Sequence, residues 1–198
     1  ILDVGNNDVR TEGQSYGMMI SVQLDKKTEF DKLWRWAKKY MQHKTGNWKG
    51  YFAWQCRPDG TIIDNTCAPD GEEYIAAALL IAAKKFGRDD YKQEAIELIN
   101  CIKNKPFNEL VGPMIDPERK LIKFSPVLGN DFTDPSYHTI AFYRAYADAT
   151  GDSEWLEIAK NSIDYLKKAA HPETGLCGDY SEYDGTPKAM PWFPESNC

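Results

Sequence analysis

Three acidic residues stand out by their surroundings. Glu12 lies in RTEGQSY, Asp70 in APDGEEY and Asp134 in NDFTDPSYH. Each stands just ahead of a strongly apolar segment, and each has a tyrosine close by. Carboxylates beside flat aromatic rings suit the cleavage of a glycosidic bond. One acid protonates the leaving oxygen, and a second carboxylate activates water or stabilises the positively charged sugar. Rings with apolar faces and polar tips suit sugar faces. The plainer reading is helix capping, because free N–H groups and the helix dipole favour acids at an N-terminus. Asp70 and Glu73 even have the spacing of a capping box. Asp70 is therefore read as both cap and ligand, and Glu72 and Glu73 as solvated first-turn acids.

The segments that carry these residues are helical by period. Residues 15–24 read as a short helix, apolar on most sides. A second, from Thr28 or Asp31 to His43, carries the stripe Phe30, Leu33, Trp34, Ala37 and Met41. A third runs from Asp70 to Phe86 and stops at Gly87, a good helix terminator. A fourth spans residues 89–103, a fifth 135–150 and a sixth 153–170. Short strands are expected in YFAWQC, around Met114–Ile115 and within residues 121–124. Helices one, three and five are apolar all round, while two, four and six have a polar face. The first kind belongs inside and the second outside. The expected fold is therefore all-α: three hairpins of an inner and an outer helix, arranged as an α/α toroid with the acidic loops on one rim.

Composition narrows the function. At 198 residues, with 42% hydrophobic and 27% charged residues, the chain is an ordinary globular domain. A net charge of −6 offers no basic face for nucleic acid. The apolar run 74–83 is too short to span a bilayer, so no membrane association is expected. The five cysteines form no C-x-x-C and match no zinc spacing with His43, His138 and His171. No disulfide framework is expected, although Cys56 and Cys67 could pair in an exported protein, and a cytoplasmic location is favoured over secretion. Six Trp and eleven Tyr exceed what a helical core needs.

EGQSYGMM (12–19) and APDGEEYIAAALLIAAKKF (68–86) resemble the catalytic-acid motif and the signature segment of glycoside hydrolase family 8. The resemblance covers essentially the whole chain. It implies an inverting enzyme with an (α/α)6 barrel and no cofactor. Within the family, GYFAWQCRPDGT (50–61) with APDGEEY looks most like the reducing-end xylose-releasing oligoxylanases. By this resemblance Glu12 is the general acid and Asp70 binds and distorts the sugar. Trp54 stacks on a sugar, and Tyr137 lies near the general base. Two departures stand in the signature: Pro69 replaces the usual Ser or Thr, and Glu72 the second Asp.

The base motif of the family, of the type Tyr-Asp-Ala-x-Arg, does not occur. The late acids are Asp179, Glu182, Asp184 and Glu195, and DYSEYDGTP (179–187) resembles a loop upstream of the base. The base is left unassigned and expected beyond Cys198. Residues 1–198 then form one catalytic-domain portion, incomplete at both ends, with about half of a six-hairpin barrel. The expected partner is a xylo-oligosaccharide, and the oligomeric state is open. An endo-acting xylanase, endoglucanase or chitosanase is the alternative within the fold. A non-catalytic α/α sugar-binding or scaffold fragment is the alternative of another class.

Overall fold

The computed structural model describes residues 1–191, so Glu195 and Cys198 lie outside the described residues. Six α-helices dominate it: α1 (Thr11–Gln23), α2 (Lys27–Tyr40), α3 (Pro69–Phe86), α4 (Asp89–Asn104), α5 (Ile140–Thr150) and α6 (Glu154–Ala169). Each consecutive pair packs together, α1 with α2, α3 with α4 and α5 with α6. α3 also packs against both α1 and α5.

Local chemistry explains the ends. α3 starts at Pro69, whose fixed φ and missing N–H suit the first helical position. It ends at Gly87 with φ 63°, and α5 ends likewise at Gly151 with φ 73°. α2 buries Phe30, Trp34 and Ala37 along one stripe. α4 buries Tyr91, Ala95, Leu98, Ile99 and Ile102 in the same way. Two ion-paired contacts link helices on their outer sides: Lys38 of α2 meets Glu94 of α4, and Lys103 of α4 meets Asp152 and Glu154 near the start of α6.

Three expectations need correction. α1 starts at Thr11, four residues early, which puts Glu12 inside its first turn. The fifth helix is broken: Pro135–Tyr137 form a 3-10 turn, His138 leaves helical geometry at ψ 77°, and α5 starts only at Ile140. The break follows from His138, which turns inward between Thr133 and Ser162. The strands also differ. A three-stranded antiparallel sheet joins β1 (Val9–Arg10), β2 (Gln55–Cys56) and β3 (Ile62–Asp64), with Val9 opposite Cys56 and Gln55 opposite Asp64. Only the end of YFAWQC is strand, and residues 114–115 and 121–124 contribute a single bridge, Ile115 to Ile122.

The helices read as apolar all round are not covered all round. Ile20 of α1 and Ile81 of α3 are 58% and 40% exposed. Tyr16, Tyr74 and Phe142 form an edge-to-face row across α1, α3 and α5, with centroids 4.9 and 4.8 Å apart.

α1 and α3 approach closely at their N-termini. A Cβ on Gly71 would lie 2.5 Å from both Cβ and Oγ1 of Thr11. Thr11 is itself buried, and its N–H donates to the Trp54 carbonyl at 3.0 Å. It has no room to retreat. Gly71→Ala should therefore destabilise the chain, although alanine is the better helix former by about 1 kcal/mol. Overpacking of about 1–3 kcal/mol outweighs that gain, and a lower melting temperature by calorimetry is the expected outcome. An unchanged or higher value would mean that the two helices separate freely.

Candidate active site

The contact at Gly71 brings the first turn of α1 beside the first turn of α3. Glu12 is exposed there, and its Oε1 accepts the Tyr16 hydroxyl at 3.1 Å. The partial burial that a general acid calls for is absent around Glu12 in the described residues. Asp70 lies deeper, and its Oδ1 is buried with no hydrogen-bond partner among the described residues. Burial, then the charge of Glu12, then that of Asp134 raise its carboxyl to about 7, against the pull of the Gly71 N–H. Asp134 is also raised, by burial first, with Asp179 and Glu12 adding to it against its bonds to Ser136. The three acids singled out by sequence thus share one electrostatic neighbourhood.

Their capping roles divide differently from expectation. Asp134 does cap, accepting the Ser136 N–H and hydroxyl at 2.7 Å. Asp70 does not: Pro69 starts the helix one residue earlier, so the cap position falls to Ala68. Glu72 and Glu73 are corrected outright, for both are fully buried. The turn that carries them is covered on one side by the 51–54 segment and on the other by α5. Glu72 Oε1 accepts the Phe52 N–H at 2.9 Å, while its Oε2 is buried without a partner among the described residues. Burial pushes Glu72 up to about 8, with Asp70 adding to it.

Beside the acids lies a cleft of about 520 Å³, lined by Trp54, Thr66, Phe124, Asp134, Tyr137 and Tyr180 among others. Trp54 and Tyr137, both expected from sequence, line the same cleft. Trp54 is positioned from two directions: its N–H donates to Thr66 O at 2.8 Å, and the Arg10 guanidinium sits 5.5 Å from its ring centre. Tyr137 is stacked nearly parallel to Phe124, 5.9 Å away, and Phe124 to Phe132 at 4.9 Å. Tyr180 meets Phe124 edge-on at 5.2 Å. Phe124 and Tyr180 escaped the sequence reading. They sit in irregular segments, where no period marks a face, and a lone aromatic there has no signal of its own.

The late acids separate. Asp179 neighbours Asp134 and lines a shallow pocket with it. Asp184 accepts the Thr186 N–H at 2.9 Å in its own turn, and Glu182 pairs with Lys188. Cys56 and Cys67 are buried free thiols, not a pair. Among the described residues, no group of three or more His, Cys, Asp or Glu could hold a metal ion, and no helix is long and apolar enough to cross a membrane. A groove of about 490 Å³ between α2 and α4 shares no residue with the cleft. Its charges are largely paired with one another, Lys38 with Glu94 and Arg88 with Asp90.

The sequence profile of the glycosyl hydrolases family 8 matches residues 1–195. The chain belongs to that family. It is 46% identical over 194 residues to the reducing-end xylose-releasing exo-oligoxylanase Rex8A of Paenibacillus barcinonensis, covering 94% of this chain and 50% of that protein. Endoglucanase 2 of Ruminiclostridium josui is 34% identical, over 92% of this chain and 38% of its own length. The crystal structure of a catalytic mutant of a Teredinibacter turnerae family 8 xylanase, in complex with xylohexaose, superposes with a TM-score of 0.94. It is 43% identical and covers 100% of this chain and 55% of that one. The chain spans about half the length of the curated exo-oligoxylanases it matches. The family 8 resemblance read from EGQSYGMM and APDGEEY is thereby established.

The buried carboxyls of this family 8 site predict a pH dependence of stability. Glu72 has a folded value of about 8 against 4.5 when exposed. Between these values the folded chain holds a proton that the unfolded chain has released. Its contribution is therefore complete below about pH 4.5 and is lost as pH rises through 8. Urea midpoints should fall from pH 5 to pH 8.5, and less steeply in Glu72→Gln, with Asp70 supplying part of the remaining slope. Equal slopes in the two proteins would show that Glu72 is ionised in the fold.

Proposed function

We propose that this chain is part of an inverting glycoside hydrolase that cleaves β-1,4-xylosidic bonds of xylo-oligosaccharides and releases xylose from the reducing end. The observation that carries this is the convergence of Glu12, Asp70 and Asp134 beside an aromatic-walled cleft, in a chain of family 8. The substrate class is supported by the ordering of relatives. The reducing-end xylose-releasing enzymes are 43–46% identical and the endoglucanases 26–34%.

In this reading Glu12 is the general acid that protonates the leaving oxygen. Its exposure leaves it open to a bound sugar, and covering by substrate would supply the desolvation that a proton donor needs. Asp70 takes sugar hydroxyls on its unpartnered Oδ1, and a buried acceptor of this kind gains from any donor that reaches it. Trp54 stacks on a sugar face, and Tyr137, which lines the same cleft, adds a second aromatic contact. No base is assigned among the described residues, because the family's base motif does not occur in the sequence; Asp184 and Glu182 are in addition engaged in their own turns. Inversion requires a base about 6.5–9.5 Å from the acid, with room for water. The consecutive packing of α1/α2, α3/α4 and α5/α6 supports their assignment as three hairpins of an (α/α)6 toroid.

Glu12→Gln in the full-length protein should lower kcat on xylotriose by about 10²–10⁴-fold and leave the circular dichroism spectrum unchanged. Turnover close to wild type with an intact fold would remove Glu12 from the role.

Product analysis decides the substrate range. Xylotriose should yield xylose from its reducing end, with little action on polymeric xylan, cellulose or chitosan. A rapid loss of viscosity in a xylan solution would identify an endo-acting enzyme instead.

A further inference from the structure

Glu73 is the third acid of the first turn of α3 and has no part in the chemistry above. It is fully buried, and its side-chain hydrogen bonds all come from α5 or the turn before it. Thr139 Oγ1 donates to Glu73 Oε2 at 2.8 Å. Tyr143 Oη lies 2.8 Å from Glu73 Oε1 and 3.2 Å from the carbonyl oxygen of Tyr137. The Tyr146 hydroxyl donates to the Glu73 carbonyl at 2.6 Å.

If Glu73 is ionised, the Tyr143 hydroxyl cannot serve both of its neighbours fully, and the Tyr137 carbonyl keeps only its bond from the Thr139 N–H as a full one. Tyr143 has one phenolic proton, and both of its close neighbours are then acceptors. A neutral Glu73 resolves this. Its acid proton goes to Tyr143 Oη, and the Tyr143 proton is free for the Tyr137 carbonyl. Thr139 still serves Oε2. Tyr143 is buried and stacked on Trp155, 5.6 Å away, so it cannot swing to find another partner.

We infer that Glu73 is a positioning residue: as a neutral carboxylic acid it orients, through the Tyr143 hydroxyl, the backbone of Tyr137, and with it one wall of the cleft. The Tyr137 carbonyl also receives the Thr139 N–H at 2.9 Å, so the backbone on either side of the break before α5 is tied to the same acid. The Glu73 carboxyl is held well above the usual range by burial first, against its bonds from Tyr143 and Thr139, with Asp70 and Glu72 adding to the rise. This deepens the proposed function and rests on it for the meaning of the cleft.

The test uses the full-length protein with Glu73→Gln, Glu73→Leu and Tyr143→Phe. Glutamine reproduces a neutral acid, with a donor for Tyr143 and an acceptor for Thr139. Its KM for xylotriose should stay within about threefold of wild type. Glu73→Leu and Tyr143→Phe should raise KM by about tenfold or more while kcat changes less, since the sugar wall is displaced but not the acid. Glu73→Gln as damaging as Glu73→Leu, or Glu73→Leu with an unchanged KM, overturns the inference. A second measurement needs neither activity nor a folded leucine variant. The infrared difference spectrum of wild type minus Glu73→Gln should contain the carbonyl stretch of a protonated carboxyl throughout pH 5–8. A carboxylate band at neutral pH overturns the inference. Failure of the wild type to cleave xylotriose would count against the proposed function alone, and the infrared result would still decide the state of Glu73.

Discussion

The rest of the site depends on one close approach. At Gly71 the first turn of α3 presses on Thr11, the first residue of α1, at a distance that no side chain could occupy. Glu12 follows Thr11 and Asp70 precedes Gly71, so this contact puts the two acids next to each other. It also fixes the segment between them. The Thr11 N–H holds the Trp54 carbonyl, and that bond continues the β1–β2 ladder by one step beyond the Arg10–Gln55 pair. This one contact thus sets Glu12, Asp70 and Trp54 in a common frame.

Around that contact the protein buries carboxyl groups that it could have left in water. Asp70, Glu72 and Glu73 are adjacent, and each is raised by burial before any neighbour acts on it. Ionised acids in such a place would repel one another in a medium of low dielectric. Protonation relieves that repulsion, and Glu72 and Glu73 each hold a hydrogen-bonded neighbour. Glu72 reaches the Phe52 N–H on the Trp54 side, and Glu73 reaches Thr139 and Tyr143 on the Tyr137 side. The first turn of α3 is therefore tied to the segments that carry both Trp54 and Tyr137.

The irregular segments are anchored by side-chain contacts to the helices. His138 is neutral, pushed down to about 3 by burial, and its two ring nitrogens meet Thr133 and Ser162. Its ring also stacks on Tyr165, 4.3 Å away. The segment that carries Asp134 and Tyr137 is thus pinned to α6 on one side and, through Glu73, to α3 on the other. Phe124 and Phe132 extend the same wall from a loop that has almost no regular structure of its own.

The sequence by itself determined the helices and their order. A period of 3.6 and the glycines at 87 and 151 mark them, because helix formation is governed by local backbone sterics and by one apolar face. The stripes of α2 and α4 were legible for the same reason, and the motifs around Glu12, Asp70, Trp54 and Tyr137 could be picked out, though their roles remain proposals. Burial of Glu72 and Glu73 was not legible. An acid in a first turn reads as solvated until the 51–54 segment and α5 close over it, and neither is adjacent in sequence. The break at His138, the three-stranded sheet and the places of Phe124 and Tyr180 were likewise decided only by the tertiary structure. Each depends on partners tens of residues away, which supply hydrogen bonds and ring contacts that no local pattern encodes.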